Sequence, residues 1–247
     1  WRAALALDHT AAGAHFALGW VYRGLGDPER ELRSFDLAYE LDPTRNACWY
    51  RRAQALERLG RLEEARASYE KAAELEEPAW IAGWSRALLA SYVAIDGDHE
   101  RALGMSQDTW ESGLSAGFFL RIYLLHGFGV VAGLTGDEAP LVEARQLVDE
   151  YFTAPGDAGA RDLTKAYERY SGLLLQLGAH RGRLQPPPPI TDEGRRILLA
   201  HCIDVAQDGI ELGQDSAWLW GNLGQASYFA GDAETAVMAL TREDELD

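Results

Sequence analysis

The chain has 247 residues, 47% of them hydrophobic, with 23 basic and 39 acidic side chains and a net charge of −16. That hydrophobic share excludes disorder as the default state, and the length fits one elongated domain or two compact ones. So acidic a chain repels nucleic-acid backbones and anionic membranes, so neither is expected as a partner; it either steers basic protein faces inward or simply keeps a large surface soluble.

Residues 1–11 open on Trp1, with no basic-then-apolar leader, and a cytoplasmic location is expected. Trp1, Ala4, Leu7 and Asp8 read as the tail of a second helix from an earlier, partial unit. Residues 12–45 read as two short helices joined by a tight turn. Gly26 ends the first helix, Asp27 caps the second, Pro28 occupies its first turn and Glu29 faces its positive dipole end. Pro43 stops the second helix through the residue before it. Leu18, Tyr22, Phe35 and Leu41 are large, whereas Gly19 and Ala38 are small and mark where the helices cross closely. Residues 46–79 repeat the pattern through Trp49, Ala53, Gly60, Ala65, Tyr69, Ala72 and Pro78. Repetition at that interval is the signature of a helical solenoid.

These two units resemble the tetratricopeptide repeat family, on Leu18-Gly19, Tyr22, Gly26-Asp27, Phe35, Ala38 and Pro43, then on the second set just named. They depart from it at His15, where the family favours tryptophan, at Glu31, where it favours alanine, and at Arg52 and Leu56. The expected fold is all-α: a right-handed α-solenoid of about six antiparallel helix pairs, a single domain over 1–247.

Beyond Pro78 the period loosens. Gly97-Asp98 places a third pair over 80–115, and Gly136-Asp137 a fourth over 116–152, its second helix starting near Ala139-Pro140. A fifth pair spans 160–214, with Gly178 as turn glycine and a Pro-rich insertion at 179–191 that reads as an extended spacer. A sixth, 217–247, returns to form with Trp220, Leu223-Gly224, Gly231-Asp232, Ala236 and Leu240, and stops short of a closing proline. Both ends therefore read as interrupted repeats of a longer parent, and self-association through them is expected. No period-two alternation announces a strand.

No constellation rises to an active site, and no cofactor or metal is expected. The glycines of HGFGVVAGLTGD (126–137) suggest a phosphate loop, but no Gly-Lys-Ser/Thr ending follows and no strand precedes. Residues 116–134 are apolar enough to suggest a membrane helix, but Arg121 and His126 interrupt them and a buried helix is favoured. None of the six histidines forms a helical metal pair with a third ligand. Cys48 and Cys202 make no disulfide framework, and Cys202 reads as a core residue beside a partly exposed His201.

The resemblance implies a binding groove lined by the first helix of each pair. By register it takes Phe16, Trp20 and Arg23 from the first unit, and Tyr50, Arg51, Gln54 and Arg58 from the second. Trp84, with Ser91, comes from the third, and Trp218, Asn222, Gln225 and Tyr228 from the last. Aromatic anchors among arginines and amides suit a protein or peptide ligand with an apolar or aromatic motif. The family's carboxylate clamp of lysines, arginine and paired asparagines is not matched, since Phe16, Trp20 and Gln54 stand in its place. The function expected is a non-catalytic interaction scaffold. The alternatives are a recruiting arm of a larger enzyme and a small-ligand sensor built on 80–183.

Overall fold

A computed structural model describes residues 11–75, 79–112, 121–153, 160–179, 187–212 and 216–246. Residues 1–10 of the partial unit at 1–11, Pro78 and most of the Pro-rich insertion lie outside them. Among the described residues there are twelve α-helices, one 3-10 turn and no strand. They run α1 (Ala12–Gly24), α2 (Pro28–Leu41), α3 (Ala47–Arg58), α4 (Leu62–Ala73), α5 (Ala79–Ile95) and α6 (His99–Glu111). After the 3-10 turn Ile122–Leu125 come α7 (His126–Thr135), α8 (Ala139–Thr153), α9 (Ala160–Gly178), α10 (Asp192–Glu211), α11 (Ala217–Ala230) and α12 (Ala233–Leu246). Consecutive helices pack on one another from α1 to α4 and again from α7 to α12, an all-α solenoid architecture. The described residues form two compact units, the boundary falling within α5 between Leu89 and Ala90.

Five of the six pairs turn in the same way. Gly26, Gly60, Gly97, Gly136 and Gly231 all have positive φ, 69° to 95°, a region that costs glycine little. In four of them the next residue's N–H reaches back to the helix that has just ended: Asp27 to the Tyr22 carbonyl, Arg61 to Leu56, Asp98 to Val93 and Asp232 to Ser227. These bonds satisfy carbonyls that would otherwise lack partners. The side chains of Asp27, Asp98 and Asp232 then accept from the N–H of Arg30, Arg101 and Thr235, capping the following helix.

Close crossings follow the small residues. A Cβ on Gly19 would stand 2.5 Å from the Phe35 ring, and one on Gly224 2.6 Å from Leu240. Phe35 and Ala38 are fully buried, whereas Leu41 lies largely exposed at the helix end. The remaining pair is different: α9 runs unbroken to Gly178, which packs against Leu199 instead of making the turn.

In the second unit α7 is buried on all sides from His126 to Gly133, as expected of a helix that is apolar all round. Gly127 packs on Ser106 of α6, Gly129 on Leu177 of α9, and Gly133 on Ile190 and on Leu198 of α10. Ten residues span about 15 Å, half a bilayer's hydrocarbon core, and no described helix is long and apolar enough to cross a membrane. The glycines are contact points between helices. They do not cradle a phosphate.

Residues 187–191 correct the spacer expectation over their length. Pro188 and Ile190 are buried. The N–H and Oγ1 of Thr191 both donate to the Gly133 carbonyl, at 3.0 and 3.1 Å, and Thr191 Oγ1 accepts from the Gly194 N–H to cap α10. This segment is docked on the end of α7.

Candidate functional site

In the first unit the expected groove residues of α1 and α3 meet in one network. Arg23 Nη1 and Arg51 Nη1 both donate to Gln54 Oε1, at 2.7 and 2.9 Å. Gln54 Nε2 donates to the Tyr50 hydroxyl at 3.0 Å, which turns the amide oxygen toward the arginines. The Arg51 guanidinium lies 4.1 Å from the centre of the Trp20 ring and that of Arg23 5.7 Å from it, both within cation–π range. Trp20 itself is 43% exposed.

Behind this network stands Glu31 of α2, fully buried. It pairs with Arg58 and lies 3.7 Å from Arg23. Burial draws the Arg58 pKa down, as does the charge of Arg23. A carboxylate so deeply buried is tolerated only with cationic partners, and Glu31 has two. The register did not place it in the site. Its standing where an alanine was expected was the one available signal.

Several expected groove residues are structural. Tyr50 is fully buried, its ring packed against those of Tyr69, Trp80 and Trp84 with centroids 5.8 to 6.1 Å apart. It therefore supports the site from below and offers no surface, because the aromatic residues of α4 and α5 cover it. Phe16 is half-buried, edge-on to Phe35 at 5.4 Å and beneath the Arg45 guanidinium. Trp84 belongs to the aromatic cluster around Tyr50. Ser91 is buried, its hydroxyl 2.7 Å from His126 Nδ1.

In the second unit Trp218, Asn222 and Gln225 of α11 line a cavity of about 440 Å³ together with Glu168, Arg169 and Gln176 of α9. Asn222 is almost wholly buried and is tied to α9, donating to the Glu168 carbonyl at 3.1 Å and to Ser171 Oγ at 3.0 Å. Trp218 stays 67% exposed, with Arg169 5.7 Å from its ring centre. Tyr228 is exposed on the far end of α11 against Phe229 and does not line the cavity. Register missed Glu168, Arg169 and Gln176, since they belong to the irregular fifth pair.

Groups with shifted acidity are structural. Cys202 is buried and its thiol is pushed up by desolvation, while the Cys48 thiol is pushed up to about 12 for the same reason. His201, expected to be partly exposed, is buried over Tyr170, and burial first, then Arg145, lowers its pKa. Tyr167 donates to Asp149 Oδ1 at 2.7 Å and accepts from Arg145, which also bonds Asp208, so one polar knot joins α8, α9 and α10. No group of three or more His, Cys, Asp or Glu suited to a metal stands together among the described residues.

Stacked helix pairs with glycine-capped turns and aromatic, arginine-bearing faces define the helical-repeat class of interaction scaffold. Sequence models described as tetratricopeptide repeat match residues 12–45 and 47–78, that is α1–α2 and α3–α4. The chain thus carries two tetratricopeptide repeats, over 12–45 and 47–78. No curated protein matches it.

Among solved structures it is similar to the APC/C hetero-tetramer Cut9-Hcn1, at 16% identity and TM-score 0.46, over 98% of this chain and 41% of that one. It is also similar to a tetratricopeptide repeat protein from Parabacteroides merdae, at 15% identity and TM-score 0.44, over 95% and 92% of the two chains. A third is Naa15/Naa10 bound to HypK-THB, at 14% identity and TM-score 0.24, over all of this chain and 55% of that one.

Proposed function

We propose that this chain is a non-catalytic scaffold that holds an extended peptide or partner helix on the exposed face of the first-of-pair helices of its first unit, α1 and α3. The observation that carries the reading is Trp20, an exposed indole held against the planar guanidinium of Arg51. A rigid aromatic surface flanked by donors gives contact area at small entropic cost. Selecting peptides from a random displayed library, then measuring them by calorimetry against Trp20→Ala, tests it. Peptides that bind the chain and lose about ten-fold or more on Trp20→Ala, with helicity unchanged, support the reading. Peptides indifferent to that change sink it.

The cavity beneath Trp218 favours a second reading, a small-ligand or peptide-side-chain sensor. Its volume of about 440 Å³ falls in the range of ligand sites. Thermal-shift screening would reveal it, because a ligand bound only to the folded state raises the melting temperature.

A further inference from the structure

We infer that a cavity between α2 and α3 is a receptor for a basic side chain, Lys or Arg, presented by a partner protein. It lies on the other side of α3 from the Trp20 network, since Trp49 and Arg51 stand about 200° apart around the helix axis. The inference is therefore independent of the peptide-binding reading above.

The cavity measures about 410 Å³ and sits wholly within the first unit. The rings of Tyr39 and Trp49 meet at its side, 5.0 Å apart and inclined by 60°, and form an aromatic corner. Asp36 and Glu40, one helical turn apart on α2, add two carboxylates. Among the described residues that line it, one guanidinium faces them, that of Arg52. This cation is divided three ways. Its Nε donates to Asp36 Oδ1 at 3.1 Å, its Nη1 donates to Ser68, and its Nη2 lies 4.0 Å from Glu64. Glu40 is exposed and makes no ion pair among the described residues.

Two carboxylates at that spacing repel each other. Burial raises the Asp36 pKa, Arg52 pulls it back only in part, and the charge of Glu40 pushes it up again. The lining thus carries more negative charge than Arg52 neutralises, and a second cation would relieve it. The aromatic corner suits the same ligand, because ring faces attract cations. Arg52 already uses this attraction, its Cζ lying 5.9 Å from the Trp49 ring centre. An anion would meet two carboxylates, and a purely apolar group would leave Glu40 unused. A Lys or Arg side chain satisfies both parts, its stem against the rings and its charge beside Glu40. The volume falls in the range of ligand sites, and the net charge of −16 draws basic partners toward the chain.

The test uses the whole chain and a positional-scanning library of synthetic peptides with acetylated and amidated ends, read by fluorescence polarisation. The expected result is selection of Lys or Arg at one position. Replacing that residue by norleucine or citrulline, which keep its shape and remove its charge, weakens binding by about ten-fold, as does Glu40→Gln. Glu40 is the chosen variant because an exposed side chain without an ion pair can be changed without altering the circular dichroism spectrum. Trp20→Ala leaves this binding as it was. A library that selects no basic residue overturns the inference, as does selection of a base that is indifferent to Glu40→Gln. If the selected peptides lose binding on Trp20→Ala and keep it on Glu40→Gln, they belong to the Trp20 face, and this inference falls while the groove reading stands. If Glu40→Gln weakens binding and no peptide responds to Trp20→Ala, this inference stands and the groove reading falls.

Discussion

The first unit and the helices around α7 in the second use the same small-against-large packing, but distribute it differently. In α1–α2 the close approach is one event, Gly19 against Phe35, and in α11–α12 both Gly224 against Leu240 and Gly221 against Glu243 face the same partner helix. Helix α7 spreads its approaches over three glycines that meet three different neighbours, Ser106, Leu177 and Ile190. Approaches to one partner helix leave a period in the sequence. Approaches to several helices erase it, because small residues then fall on every face. The loss of period after Pro78 therefore marks a helix surrounded on all sides, not a weaker fold.

The largest expected effect breaks that surrounded helix. A Cβ on Gly194 would run into the backbone carbonyl of Gly133, which cannot rotate away. Gly194→Ala is expected to cost about 3 kcal/mol or more in chemical denaturation, at the upper end of overpacking. Gly60→Ala, at a turn glycine with open space around its Cβ, should cost only about 1–2 kcal/mol for the left-handed backbone. Equal costs would mean that α7 is packed no more tightly than the regular pairs.

Next come the regular crossings. Gly19→Leu or Ala38→Leu should destabilise the chain by about 1–3 kcal/mol, since Phe35 fills the space at Gly19 and Ala38 is fully buried. Neutral outcomes for both would misplace the crossing of α1 and α2. Thr191→Ala removes the cap of α10 and the hydroxyl's bond to Gly133 but keeps the backbone one, and about 1 kcal/mol should go with it. If it proves silent in the denaturation midpoint, the docked segment contributes nothing to the second unit.

The pH response sharpens the comparison further. The folded-state pKa of His201 lies below 6.5, so the unfolded chain binds the proton more readily. The stability His201 contributes is present above that ordinary value and is lost as pH falls through the folded pKa. His201→Asn should therefore flatten the decline in melting temperature on acidification below pH 6.5, and a decline left unchanged would assign it to other groups. The smallest expected stability effect is Trp20→Ala, within about 0.5 kcal/mol, because the indole is a surface group.

Part of the candidate site was legible in sequence. Register places Trp20, Arg23, Arg51 and Gln54 on neighbouring helices, and the structure brings those four into one network. It could not show that Tyr50 lies beneath them, since an aromatic residue at a groove position suits a surface and a core equally well. Nor could it show that Glu31 holds two arginines from other helices, because ion pairs between helices depend on where side chains end, not on spacing. Glu168, Arg169 and Gln176 escaped for want of a period to count from.

Sequence alone determined the helix pairs, the glycine turns and their aspartate caps, because these rest on backbone conformations that only a few residues within a turn decide. Tertiary structure decided the rest. The burial of Glu31 and Tyr50, the docking of Pro188 and Ile190, and the use of Gly178 as a packing surface all depend on what arrives from distant parts of the chain. Burial is a property of the neighbours, and no local pattern carries it.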